Sequence, residues 1–177
     1  MGALFASLAA LSDDVALALV LADAMPQLFV FLRFLCGVWS RGVGVQLQHT
    51  GNANSLVTGA VQHTCETLRT LFRVGGNDTP GCISGSVVEL IECIEMFWSV
   101  SLIVKPAIGA LRHFLVSGGP TTALAAAERG AYRPILRALR RVSINSRDLG
   151  DHCEDILCLV LDIVRADAKA AVRLIEL

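Results

Sequence analysis

Two histidines lie close to cysteines, and these residue types can bind a metal ion or support nucleophilic catalysis. His63 lies two positions before Cys65, and His152 is directly followed by Cys153. Structural zinc sites use two pairs of ligands, each pair with about two to four intervening residues, and this sequence lacks that pattern. It also lacks a G-x-S-x-G motif and a phosphate-binding glycine pattern. We therefore predict no metal, no cofactor and no enzymatic activity. A Ser-His-Asp or Cys-His site whose residues meet only in the folded chain would not show a local sequence motif.

Six cysteines are spread along the chain, and none forms a C-x-x-C pair. A chain of 177 residues can bury a hydrophobic core without the support of disulfides. We expect reduced thiols that pack as small hydrophobic side chains. The six are Cys36, Cys65, Cys82, Cys93, Cys153 and Cys158.

A run of arginines near the C-terminal end could contact phosphate groups. Positions 129–147 hold six arginines and no acidic residue, and positions 148–167 then hold six acidic residues. Contact with lipid headgroups is one interpretation, and pairing with the adjacent acidic helix in an antiparallel hairpin is the other, which the neighbouring acids favour. The net charge of −1 and the lone nearby aromatic residue, Tyr132, argue against a nucleic-acid partner. The arginines predicted to share one face are Arg133, Arg137, Arg140 and Arg141.

The composition indicates a protein with much apolar surface to cover. Hydrophobic residues make up 54% of the chain, charged residues 18%, and the mean hydropathy is +0.59. Typical soluble domains are about 45–50% apolar and about 25% charged. This balance favours a membrane-associated protein, or a subunit that buries much of its surface in partners.

The longest nearly continuous apolar stretch covers positions 86–115. Ser86 and Glu89 have the spacing of a capping box, which predicts that a helix begins there. Pro106 removes a backbone donor, so we expect this helix to end or kink near Val104.

Helical periodicity covers most of the remaining chain, and no segment shows the two-residue alternation of a strand. Ser12 is a good N-cap, and turn-forming residues are concentrated at 42–54, 75–85 and 117–120. We predict an all-α fold: a multi-helix bundle of about seven amphipathic helices that ends in a basic and acidic helical hairpin. The domain is expected to span 1–177, with the loop 75–85 as a candidate sub-boundary.

Amphipathic, strongly apolar helices are the main functional signal. Faces of 3–39 and 86–116 would either enter the headgroup and acyl boundary of a membrane or pack inside a soluble bundle. Neither 15–36 nor 93–111 makes a convincing bilayer span, because each contains charged residues and a proline. The composition favours membrane contact. The side chains predicted to face a membrane or partner are Leu28, Phe29, Phe31, Phe34, Met96, Phe97, Trp98 and Ile103.

Three stretches resemble a known family. They are LAALSDDV at 8–15, the aromatic FWSVSL at 97–102, and ILRALRRVSINSRDLGDHCEDILCLV at 135–160. Together they look like parts of PEX11-type peroxisomal or glycosomal membrane proteins. The resemblance implies an all-helical, oligomeric protein on the cytosolic side of a peroxisome-like organelle membrane, which it would shape by inserting amphipathic helices. The four arginines would then be candidate headgroup contacts.

The alternative hypothesis is a soluble, cytoplasmic helical bundle that binds other proteins. It would be an interaction module with a groove for a partner helix, as in viral Bcl-2-like proteins, or a structural subunit of a larger complex. Both hypotheses predict a homo- or hetero-oligomer, and neither identifies a small-molecule substrate.

Overall fold

A computed structural model describes residues 12–21, 24–43, 51–75, 86–137 and 149–166 of the chain. Within these ranges every residue lies in a helix or in a short segment beside one, and none lies in a strand. The predicted all-α multi-helix bundle is therefore confirmed. Most of the proposed sub-boundary loop falls outside the described residues, so that prediction stays open.

The described residues form six α-helices, numbered here in chain order. They are α1 Asp13–Leu21, α2 Ala24–Val38, α3 Gly51–Gly75, α4 Ser86–Met96, α5 Ser101–Glu128 and α6 Leu149–Ala166. A π-helical turn, Trp39–Val43, extends α2, and residues 132–137 form a further short helical stretch. Helix α5 packs against α3, α4 and α6 and is thus the central element of the bundle.

The start of α1 follows its capping signal. Ser12 Oγ accepts the backbone N–H of Val15 at 3.4 Å, which confirms Ser12 as the N-cap. Asp13 and Asp14 occupy the first turn, where negative charge is favoured by the helix dipole. Asp13 Oδ1 also lies 2.6 Å from Arg73 Nη2, so an ion pair ties the start of α1 to the last turn of α3.

The apolar stretch after Ser86 is two helices rather than one. Helix α4 gives way to a turn in which Val100 N–H donates to the carbonyl of Phe97 at 2.7 Å. Helix α5 then begins and runs through Pro106, so the helix does not end near Val104, where we expected an end or a kink. Pro106 is the sixth residue of α5, so the carbonyl of Leu102 lacks its helical hydrogen bond, but the helix continues past this local cost.

A second break divides α5 where the sequence predicted one. Gly119 has φ 68° and ψ −162°, a conformation available almost only to glycine, and Pro120 follows it. The helix resumes on the other side of this kink with the alanine-rich residues. The turn signal at 117–120 is therefore confirmed as a break in the helix.

One hydrophobic cluster contains residues from all six α-helices. Within it the ring of Phe72 on α3 contacts Phe29 on α2, with centroids 6.0 Å apart, and Phe114 on α5, with centroids 4.9 Å apart. Burial of each such side chain stabilises the fold by about 1.5–3 kcal/mol. This Phe29–Phe72–Phe114 cluster, in which the rings are tilted against one another, holds the three helices together.

Candidate functional site

Three of the side chains predicted to face a membrane or partner lie in the core of the chain itself. Phe29, Phe97 and Ile103 are all buried. Phe97 packs its ring against Trp39, with centroids 5.0 Å apart. The prediction was wrong for these three, because their helices use the same apolar faces to pack on one another.

The other five predicted side chains are at least partly accessible. Leu28, Phe31 and Met96 are half-buried and pack against the core cluster. Phe34 is 57% exposed and Trp98 is 36% exposed. Phe34 and Trp98 therefore reach the surface on different helices.

Trp98 projects from a corner of the bundle, at the turn between α4 and α5. The turn is closed by the Phe97–Val100 hydrogen bond, with Trp98 and Ser99 as its two exposed central residues. Four residues after Trp98, Leu102 in the first turn of α5 is 63% exposed. One buried aromatic residue thus anchors the turn while its neighbour points outward.

Arg137 lies next to Trp98 in the fold. Its guanidinium carbon lies 5.7 Å from the centre of the Trp98 ring, within the range of a cation–π contact. The sequence had placed Trp98 and Arg137 in separate groups of candidates, and the fold brings them together. We name the exposed surface formed by Trp98, Leu102 and Arg137 the Trp98 corner.

Of the three remaining predicted arginines, only Arg133 lies within the described residues. Arg133 is exposed, and its guanidinium carbon lies 5.9 Å from the ring centre of the buried Tyr132. Arg140 and Arg141 lie outside the described residues, as does the rest of the connection 138–148. The cross-pairing of a basic and an acidic helix therefore stays a prediction.

A cleft of about 360 Å³ with charges of both signs lies between the end of α4 and the turn that follows α5. Four exposed charged side chains line it: Glu95 on α4, Glu128 at the end of α5, and Arg129 and Arg133 in the following turns. The buried side chains of Ile91, Tyr132 and Pro134 also line the cleft. Among the residues that the structure describes, no ion pair joins these four charged side chains to one another. We name this site the mixed-charge cleft.

The turn after α5 sets the two arginines of the cleft on either side of a glycine. Gly130 has φ 71°, and its N–H donates to the carbonyl of Ala127 at 2.9 Å. The N–H of Ala131 donates to Ala126 O at 3.1 Å, so the two bonds form a Schellman motif. A glycine at the end of the alanine-rich segment 121–130 is a sequence signal for a turn. That Glu95 and Glu128 line the same cleft depends on the tertiary fold, so the sequence could not predict it.

A smaller groove of about 290 Å³ lies at the kink of α5. Apolar residues on both sides of Gly119 line it, together with two charged residues of α6. Exposed leucines of α6 and Val116 add to the apolar surface in this part of the molecule. We name it the Gly119 groove; its lining is Leu115, Val116, Gly119, Pro120, Ala123, Asp162 and Arg165.

Three cysteines meet in the core rather than at a reactive surface. Cys36, Cys65 and Cys93 are buried and free, and the sulfur atoms of Cys65 and Cys93 lie 3.9 Å apart. A hydrogen bond to Cys93, together with burial, raises the pKa of Cys36 far above the ordinary thiol range. The hydrogen bond from Cys36 lowers the pKa of Cys93, but the bond to Cys65 and burial raise it more, so the net shift is upward. The raised pKa values make Cys36 and Cys93 poor nucleophiles, as expected for small core side chains.

The described residues bring no three histidine, cysteine or acidic side chains together in a group that could hold a metal ion. Over the same ranges, no helix combines the length and the apolar character that are needed to cross a bilayer. Comparisons with protein-family models, with curated proteins and with solved structures found no match to this chain.

Proposed function

We propose that this chain is a non-enzymatic, membrane-associated helical protein that touches the lipid surface through the Trp98 corner. The proposal rests on the exposed Trp98 ring with the Arg137 guanidinium over it, and on Leu102, which is exposed four residues further along the chain. Such a group offers an apolar body and a permanent positive charge at one projecting turn.

The chemistry of the corner suits the boundary between headgroups and acyl chains. Tryptophan prefers this zone because its ring is apolar and its N–H is polar. The guanidinium of Arg137 keeps planar donors for phosphate oxygens while it stacks on the ring. Leu102 adds aliphatic surface that gains from leaving water, at about 25 cal/mol per Å² buried. Contact would be shallow and would leave the bundle folded.

The location proposed for this contact is the cytosol-facing surface of a peroxisome- or glycosome-like organelle. It rests on the resemblance to PEX11-type proteins alone. In that setting an oligomer of the chain would shape the membrane by placing many such corners in one leaflet.

Flotation with liposomes tests the membrane proposal. Wild-type protein is expected to float with vesicles, and Trp98→Ala combined with Arg137→Gln is expected to reduce the floating fraction several-fold. Phe34→Ala is the matched control, since it removes an exposed aromatic ring from α2. Flotation of the double variant at the wild-type level would refute the role of the corner. Loss of flotation in Phe34→Ala alone would move the contact to α2.

A second candidate function is the binding of a partner helix, and the Gly119 groove supports it. The groove is lined mainly by apolar side chains and carries Asp162 and Arg165, which could fix the register of an amphipathic helix. Val116→Asp would abolish such binding without affecting flotation. Pull-down of a defined amphipathic peptide that is unaffected by Val116→Asp would contradict the groove as its site.

A further inference from the structure

The mixed-charge cleft and the Trp98 corner share two segments of the chain, although no residue belongs to both. Arg133 of the cleft precedes Arg137 of the corner by one helical turn in the stretch 132–137. On the other side, Glu95 of the cleft lies three residues before Trp98. The two sites are thus linked by residues three or four positions apart on both segments.

The charges of the cleft match a ligand that carries both signs. Arg129 and Arg133 offer guanidinium donors, which pair well with phosphate oxygens. Glu95 and Glu128 offer carboxylates, which favour an ammonium group. A purely anionic ligand would meet two like charges here, and a purely cationic ligand would meet the two arginines.

The size and floor of the cleft fit a small headgroup. Its volume of about 360 Å³ is at the lower end of the range of about 300–1,000 Å³ that is usual for small-molecule sites. The buried Ile91, Tyr132 and Pro134 provide an apolar lining against which methylene or methyl groups could pack. The glycine turn at Gly130 holds the arginines in place through backbone hydrogen bonds.

From this arrangement we propose that the mixed-charge cleft binds a zwitterionic phosphodiester headgroup, of the phosphocholine or phosphoethanolamine class. The phosphate lies against Arg129 and Arg133, and the ammonium group lies against Glu95 and Glu128. The acyl chains of the same lipid would leave toward Trp98 and Leu102. This inference rests on the proposed membrane function, since it names the lipid class that the membrane contact selects.

Two double variants, each made of conservative substitutions, test the inference through the vesicle types to which they bind. Glu95→Gln with Glu128→Gln should weaken binding to phosphatidylcholine vesicles about fivefold, which equals ~1 kcal/mol, and should strengthen binding to phosphatidylglycerol vesicles. Arg129→Gln with Arg133→Gln should weaken binding to both. Trp98→Ala should lower binding to both vesicle types by the same factor and leave their ratio unchanged.

A soluble probe distinguishes binding of a lipid headgroup in a membrane from binding of a free zwitterion in solution. Glycerophosphocholine, followed by NMR chemical shifts, should bind wild-type protein and lose affinity in either double variant, whereas inorganic phosphate should bind more weakly. If the variant Glu95→Gln with Glu128→Gln binds the two vesicle types in the same ratio as wild-type protein, the cleft inference is overturned and the membrane function stands. Failure of wild-type protein to bind any vesicle, with glycerophosphocholine still bound, would overturn the membrane function and support a site for free zwitterions.

Discussion

Replacement of Gly130 by alanine tests how the turn at the mixed-charge cleft is held. Gly130 has φ 71°, where a residue with a Cβ is disfavoured by about 1–2 kcal/mol. An added Cβ would meet no other atom within 4 Å, so backbone strain is the main cost. We expect Gly130→Ala to lower the free energy of unfolding by about 1 kcal/mol, which lowers Tm by about 2–4 °C in a chain of this size.

Two other glycines provide controls with the same change of side chain. Gly59 lies inside α3 with open space around its Cβ position, so Gly59→Ala should raise the free energy of unfolding by about 0.5–1 kcal/mol. Gly119 also has open space, but its combination of φ 68° and ψ −162° suits glycine almost alone. Gly119→Ala should therefore lower the free energy of unfolding by about 1–3 kcal/mol.

Urea unfolding followed by circular dichroism measures all three variants under one condition. The expected order of midpoints is Gly59→Ala above wild type, then Gly130→Ala, then Gly119→Ala, with equal slopes. Gly130→Asn should recover part of the loss, because asparagine tolerates positive φ better than alanine does. Midpoints of Gly130→Ala and Gly59→Ala that shift by equal amounts in the same direction would refute the argument from backbone conformation.

Further predictions concern the core, an ion pair and a buried thiol. Phe72→Ala should lower the free energy of unfolding by about 3–5 kcal/mol in the same urea experiment, because its buried ring contacts both α2 and α5; a loss below ~1 kcal/mol would contradict the described core. Asp13→Asn should cost only about 0–1 kcal/mol, since the Asp13 and Arg73 side chains are 67% and 51% exposed, and the cost should shrink further in high salt. Cys36 should react with iodoacetamide much more slowly than the half-buried Cys158, as mass spectrometry of the native protein would measure. Since the pKa of Cys36 is raised in the folded chain by a hydrogen bond to a neighbouring thiol and by burial, the folded state keeps a proton that the unfolded state loses above about pH 8.5. The contribution of the Cys36 thiol to the free energy of unfolding should therefore be fully present below that pH and be lost as the pH rises beyond it. A wild-type urea midpoint that rises between about pH 8 and 9.5 would contradict this direction.

Local signals in the sequence predicted the elements that depend on one or two residues. Ser12 caps α1 because a hydroxyl is available for an orphan backbone N–H. The break at Gly119 was visible because a Gly-Gly-Pro sequence rarely continues a helix without a kink. These features could be predicted because their cause lies within a few residues of the chain.

Features that depend on packing between helices could not be predicted in this way. Phe97 and Trp98 are adjacent and both apolar, so periodicity placed them on one continuous helix. The turn at Val100 instead buries Phe97 against Trp39 and exposes Trp98. The contact of Arg137 with Trp98 joins residues 39 positions apart, which only the tertiary fold could bring together.

The Phe29–Phe72–Phe114 cluster determines how the chain could meet a bilayer. Laying the buried side of α2 into a leaflet would require the ring of Phe29 to leave that of Phe72, its neighbour 6.0 Å away. The separation would open the bundle where three helices share their interior, and it would expose Phe72 as well unless lipid replaced the lost contacts. Adsorption through side chains that already point outward involves no such rupture. If the chain binds a membrane as we propose, it would therefore dock as a preassembled body, and a disulfide linking α2 to α3 should leave its binding to vesicles intact.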